Sequence, residues 1–318
     1  MPSYSSHFSI RRLWTIFAVS MVATFGALLY FGAQIYQAAP PIPSAVRSAD
    51  GVTIFTGEEI QRGQSVWQSM GGMQQGSIWG HGSYVAPDWS ADWLHREAEA
   101  LLERLARDGN GAAYASVSPP EQSGLRTVLE REMRTNTYDP ASGTVTVSNE
   151  RAEAIAEVSA HYAALYRGTS AEAQTLREEY AFPVNAMLTA DESAALNAFI
   201  FWTAWAAGTQ RPGDSITYTS NWPHEPLVGN SPTGAVFLWT FISILVLLAG
   251  IGALVWYYAR EFDVWRRDGE PETGFARSDF MNAAVVTPSM RATSAFFIVA
   301  VLLFVAQVLL GIVTAHYA

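Results

Sequence analysis

The run GAVFLWTFISILVLLAGIGALVWYY, residues 234–258, holds no Asp, Glu, Arg or His. A helix that crosses the hydrocarbon core of a bilayer needs about 20 consecutive apolar residues. This stretch therefore places the chain among membrane proteins. Two more runs qualify. Residues 13–36 are equally free of charge, and ATSAFFIVAVLLFVAQVLLGIVTAH, residues 292–316, carries only His316 at its far end. Three transmembrane helices are expected. The first reads as a retained anchor, because its apolar run is too long for a signal peptide and no small-x-small cleavage site precedes Pro40-Pro41.

Arginine placement orients the spans. Arg11 and Arg12 precede the first span, and Arg260, Arg266, Arg267, Arg277 and Arg291 lie between the second and third. Between the first two spans, only Arg47 is close to a membrane end. This puts residues 1–12 and the 259–291 loop in the cytoplasm and residues 38–233 outside, which in a Gram-negative bacterium is the periplasmic side of the inner membrane.

Composition narrows the chemistry. Of 318 residues, 49 % are hydrophobic and 15 % charged, and the net charge is −10. All 19 basic residues are arginine, so Schiff-base and phosphate-loop lysine chemistry are excluded. The acidic excess lies in 38–233 and argues against nucleic acid as a partner. With no cysteine, the chain has no disulfide, thiolate nucleophile, iron–sulfur cluster or thioether-bound haem. Its six histidines are His7, His81, His95, His161, His224 and His316.

The external region reads as mainly α. Asp88 or Ser90 caps a helix running to about Arg107, with Leu94, Leu101, Leu102 and Leu105 on one face and Gly109 as its stop. Pro119-Pro120 starts a helix through Arg134. Ser148 starts another that ends at Gly168, and helices follow over 170–181 and 189–207, the last with the capping-box pattern Thr-Ala-Asp-Glu. A hairpin around Gly143, with strand residues 144–147, is the one strand expected.

Each candidate motif has a plainer reading. Gly71-x4-Gly76-Ser77 is one residue short of a phosphate loop and lacks its lysine, so it reads as a structural loop. His81 reads as a loop residue. His95 and His161 read as surface pairs with Glu99 and Glu157, one turn away. His224 sits in a rigid loop before the second span. Trp67, Trp79, Tyr84, Trp89 and Trp93 read as densely packed core.

The stretch FTGEEIQRGQSVWQSMGGMQQGSIWGHGSYVAPDWSADWLHRE, residues 55–97, resembles the N-terminal part of quinol-dependent nitric oxide reductases, in the haem-copper oxidase superfamily. So do NWPHEPLVGNSPT (221–233) and LLGIVTAHYA (309–318). Members look like a cytochrome-type subunit fused to the catalytic subunit of the cytochrome-c-dependent enzyme. In that resemblance Gly80, Gly82, Tyr84, Ala86 and Pro87 match the Gly-x-Gly-x-Tyr-x-Ala-Pro that follows a haem-attachment motif. The attachment motif itself falls on residues 72–76, where its cysteines and histidine are missing.

The fold class expected is thus mainly α: three transmembrane helices and an external cytochrome c-like domain that binds no haem covalently. The resemblance implies reduction of nitric oxide to nitrous oxide with quinol as donor, as part of a respiratory chain. It places a low-spin haem b, a high-spin haem b and a non-haem iron on ligands that this chain lacks, in the remainder of a catalytic subunit expected beyond Ala318. No catalytic residue or haem ligand is therefore expected here, and the chain alone is expected to be inactive. The resemblance also implies that His316 binds quinol at the outer face of the lipid, and that Gly82 and Tyr84 help to hold calcium. The competing function is a membrane-anchored ligand-binding or sensor module.

Overall fold

The computed structural model describes residues 10–183, 186–267 and 288–317. Contacts divide the chain into two units, Met1–Thr219 and Ser220–Ala318. In the first, helix α1 (Ile10–Gln37) precedes strands β1 (Ala45–Ser48) and β2 (Thr53–Thr56), helix α2 (Gly57–Ser69), and the short strands β3 (Ser77–Ile78) and β4 (His81–Gly82). Then come α3 (Trp89–Asn110), α4 (Pro119–Arg134), β5 (Tyr138–Asp139), β6 (Thr144–Val147), α5 (Asn149–Arg167), α6 (Ala171–Glu179) and α7 (Ala190–Gly208). The second unit holds α8 (Gly234–Arg267) and α9 (Pro288–Tyr317).

Among the described residues, three helices are long and apolar enough to cross a membrane, with spans at Trp14–Gln37, Gly234–Trp256 and Ala295–Thr314. Their helices overrun the apolar segments. α8 continues to Arg267 and α9 starts at Pro288, so both ends of the predicted 259–291 loop are helical. Polar, helix-forming residues extend a helix without extending its span. Residues 268–287, most of that loop, lie outside the described residues.

Local capping chemistry sets the helix boundaries. Asp88 accepts the Ser90 and Ala91 amides, Ser148 that of Arg151, and Ser170 that of Ala173. Ser118 with Glu121 and Thr189 with Glu192 form reciprocal capping boxes, and Pro119 occupies the first turn of α4. The stop of α3 is Gly111, not Gly109: Gly111 takes the left-handed conformation and bonds the Arg107 carbonyl. α6 ends at Glu179, short of position 181.

The strand expectation needs a larger correction. β6 is one of four strands, ordered β2-β1-β6-β5, with β1 and β6 parallel and the other pairs antiparallel. Val46 and Val145 face each other and are fully buried. A second, two-stranded sheet joins β3 to β4.

α7 is the core helix. Leu196, Phe199, Ile200, Phe201 and Trp205 are buried on several of its faces, and α2, α3 and α5 pack around it. Gly63 lets α2 approach it: a Cβ there would lie 2.0 Å from the Ala195 carbonyl oxygen. Between α3 and α5, Arg151 Nε donates to Glu97 Oε1 at 2.7 Å, and Trp93 Nε1 donates to Glu97 Oε2 at 2.8 Å.

Candidate functional site

The 70–88 loop carries the sequence-predicted positions 72–76, 82 and 84. It follows α2 through Gly71 and Gly72, both at positive φ, and closes as the β3–β4 hairpin. Ile78 pairs with His81, leaving Trp79 and Gly80 as a two-residue turn with φ of 52° and 76°. Two positive φ values in succession suit the right-handed twist of a tight hairpin. Glycine takes that geometry freely, but tryptophan needs support from its surroundings. Trp79 receives it: its amide donates to Ser90 Oγ at 3.0 Å and its Nε1 to the Thr203 carbonyl at 2.8 Å.

Asp88 fastens the hairpin to α3. One carboxylate oxygen caps the helix, while the other accepts Ser77 Oγ at 2.7 Å and the Gly80 amide at 2.8 Å. Ser83 closes the loop from the other side, its amide donating to the Met73 carbonyl at 2.8 Å and its Oγ to the Gln74 carbonyl at 2.7 Å. The hairpin lies close to the exit of α1. The Trp79 ring is 5.5 Å from that of Trp202, whose Nε1 donates to the Pro41 carbonyl at 2.9 Å.

Behind the loop stands an aromatic core with Trp89 at its centre. Trp89 contacts Tyr162, Tyr166, Tyr180 and Phe182 at centroid separations of 5.7–6.2 Å. Its Nε1 donates to the Gln75 carbonyl at 2.8 Å, and Gln75 Nε2 donates to the Tyr180 carbonyl. Gln75 is thereby sewn into the core. The space left among Trp67, Met70, Gln75, Trp89, Tyr166, Phe182 and Leu196 is about 10 Å³, room for one water at most. Gly76 admits this packing, since a Cβ there would lie 2.6 Å from Trp89 Nε1.

Tyr84 departs from the reading of a five-residue aromatic core. Trp89 and Trp93 are fully buried and Trp67 nearly so, but Tyr84 is fully exposed, beside exposed Val85. Gly82 is exposed as well, and at φ 149° a Cβ would lie 2.2 Å from the Gly76 carbonyl oxygen. A fully exposed tyrosine two residues beyond such a glycine suits a ligand shared with another surface. Their oxygens would form a minority of the six to eight that calcium takes. Among the described residues, no three His, Asp or Glu side chains converge as a metal site.

The histidines stand apart. His81 is exposed, with Nδ1 2.8 Å from the Trp79 carbonyl oxygen. His95 pairs with Glu99 at 3.3 Å, as expected. His161 does not follow the surface-pair reading. Arg104 binds Glu157 at 2.9 Å, while the His161 ring sits edge-on to Tyr162 at 5.3 Å. Burial, and then the nearby Arg96 charge, push the His161 pKa below the ordinary imidazole value. It lines an open groove of about 360 Å³ with Arg96, Glu99, Ala100, Glu103, Glu157 and Val158. His224 Nδ1 lies 3.1 Å from the Asn230 carbonyl oxygen. His316 is in the last turn of α9; its side chain lies outside the described residues.

Sequence reasoning missed the Asp92–Tyr162 contact. Tyr162 Oη donates to Asp92 Oδ2 at 2.5 Å, and Arg96 Nε donates to the same oxygen at 2.9 Å. The two partners are 70 residues apart, and no local spacing signals such a pair.

A family model for the cytochrome c-like domain of the nitric oxide reductase protein NorB matches residues 43–224. No curated protein matches the chain.

Proposed function

Because this chain belongs to the NorB family of nitric oxide reductases, through its cytochrome c-like domain, we propose that it is the N-terminal part of a quinol-oxidising nitric oxide reductase. The overall reaction is 2 NO + quinol → N2O + H2O + quinone. The observation that carries the quinol assignment is the seam that Gln75 and Gly76 make with Trp89. Where a cytochrome would attach its haem, Gln75 is bonded to Trp89 across a core with room for one water. The chain has no cysteine to attach a haem there. A domain filled in this way favours a donor that arrives through the lipid.

The redox centres of the reaction do not fit the residues present. Haem b and non-haem iron sites need several histidines at membrane depth, and the three apolar runs contain one, His316. Those centres belong to the remaining catalytic part, and these 318 residues alone should not turn over. Calcium fits better as a shared ion, with Gly82 and Tyr84 supplying oxygen ligands from this side. The family likeness favours a bacterial inner membrane, and the arginine bias favours residues 38–233 on its periplasmic side.

His316 is assigned to the quinol site. It ends the third apolar run, on the outer side of the proposed topology, where a quinol headgroup can arrive from lipid. A neutral imidazole accepts the hydroxyl proton as the quinol is oxidised, and its ordinary pKa of about 6.5 permits the proton to leave again. The test is steady-state nitric oxide consumption by the complete enzyme carrying His316→Ala, with quinol and then with an artificial donor that bypasses the quinol site. Loss confined to the quinol assay supports the role, and wild-type rates with both donors refute it.

A further inference from the structure

We propose that Tyr180, Trp89 and Tyr162 form a one-electron relay that ends on the Tyr162–Asp92 pair, making Tyr162 a redox-active tyrosine. The relay's oxidant is a one-electron radical of the nitrogen dioxide class.

The rings are in contact and their order is set by exposure. Tyr180 is part-exposed, and its centroid is 6.0 Å from that of fully buried Trp89. Trp89 is in turn 6.2 Å from Tyr162. Tyr162 is stacked on Trp93 at 5.1 Å with an interplanar angle of 7° and on Tyr166 at 5.9 Å and 17°. Electron exchange between aromatic rings falls steeply with separation, so a hole created at Tyr180 reaches the buried rings without a long gap.

Proton acceptors decide where the hole stops. An oxidised phenol or indole is a strong acid and is trapped when a base takes its proton. Trp89 donates its N–H to the Gln75 carbonyl, an amide oxygen that is too weak a base to hold the proton. Tyr166 is buried with no hydrogen-bond partner for its hydroxyl among the described residues. Tyr162 donates to the carboxylate of Asp92. Trp93, stacked on Tyr162, donates to Glu97, but that carboxylate is fully buried and held by Arg151, so a proton placed there has no path to water. Of the three tyrosines touching Trp89, it is the one joined to a base among the described residues. Arg96 fixes the acceptor from the other side, and Asp92 is part-exposed, which gives the proton a way back to water.

The step balances. One electron leaves Tyr162 and reduces nitrogen dioxide to nitrite; the phenolic O–H bond breaks and its proton forms an O–H bond on Asp92. The products are a neutral tyrosyl radical and a protonated carboxyl. An electron donor of the ascorbate class restores the phenol by delivering one electron and releasing its own proton to water, while Asp92 returns the proton it took. Burial raises the pKa of Tyr162 and that of Tyr166 well above the ordinary phenol value, so neither is a phenolate at rest. Electron loss and proton loss are therefore coupled at Tyr162.

The test is photochemical oxidation of the full chain in detergent, with tris(bipyridyl)ruthenium(III) generated by a flash and the radical read by electron paramagnetic resonance. The wild-type chain should give a long-lived tyrosyl signal. Tyr162→Phe should lose most of it, Trp89→Phe should lower its yield, and Asp92→Asn should slow its formation. Incorporation of 3-fluorotyrosine at position 162, which preserves the packing, should alter the hyperfine pattern and covers the case in which a variant does not fold. An unaltered pattern with that label, or an undiminished signal in Tyr162→Phe from exposed rings such as Tyr84, would overturn the relay.

Discussion

Arg151 of α5 and Glu97 of α3 meet at 2.7 Å with both side chains buried, and Trp93 satisfies the other carboxylate oxygen. Removing one partner leaves a charge in the interior with nothing to balance it. Arg151→Ala should cost ~3–5 kcal/mol, seen as a large fall in the midpoint of thermal or denaturant unfolding. Replacing Glu97 and Arg151 together by leucine should cost far less, because no charge is then stranded.

Gly63 and Gly124 make a matched pair of helical glycines with opposite outcomes. At Gly63 an added methyl group meets the Ala195 carbonyl and the Phe199 Cβ, at 2.0 and 2.7 Å. The carbonyl belongs to the backbone of α7 and cannot swing away. Gly63→Ala should destabilise by ~1–3 kcal/mol. At Gly124 nothing lies within 4 Å of the added carbon, and Gly124→Ala should stabilise by up to ~1 kcal/mol through helix propensity. Unfolding curves of the two variants check the sign as well as the size.

His161 gives the fold an acid-sensitive group. Burial and Arg96 lower its folded pKa below the ordinary value of 6.5, so the unfolded chain binds the proton more readily. Its contribution is complete above that value and is lost as pH falls from 6.5 through the folded pKa. Melting temperatures measured between pH 7 and pH 5 should fall less for His161→Gln than for the wild-type chain. Parallel curves would contradict this.

Tyr84 is a cleaner probe of the proposed calcium site than Gly82. Any side chain at position 82 meets the Gly76 carbonyl and must take a strained φ, so Gly82→Ala damages the loop whether or not a metal binds. Tyr84→Phe removes one exposed hydroxyl and should leave stability within about 0.5 kcal/mol. If that hydroxyl is a ligand, calcium content of the complete enzyme should fall while its melting curve does not. Unchanged calcium content would remove the hydroxyl from the site.

Much of the helical frame was readable because capping is local. Ser148, Ser170 and Thr189 each sit within three residues of the amide they satisfy, and all three mark true helix starts. α2 carries the same kinds of signal, a Thr56–Glu59 capping box and a buried face of Ile60, Val66 and Trp67, but that face is interrupted by Gly63, where the helix meets α7. β1 and β2, with the sequences AVRS and TIFT, are too short for alternation to show, and the parallel partner of β1 is far along the chain. The aromatic density of 67–93 was visible, but which rings turn inward was not. Tyr84 and Trp89 look alike in sequence, and only the path of the hairpin separates a fully exposed ring from the centre of the core.

The parallel pairing of β1 with β6 has a consequence for biogenesis. The Ser44 amide donates to the Gly143 carbonyl, 99 residues away, and Val46 shares its sheet position with Val145. At about 5–20 residues per second, a ribosome needs roughly 5–20 s to reach the second partner after making the first. During that interval β1, tethered a few residues beyond a membrane helix, is an unpaired edge able to accept a wrong strand. The domain closes late, and its assembly in the cell should be most vulnerable to chaperone loss or proteolysis before Val147 emerges.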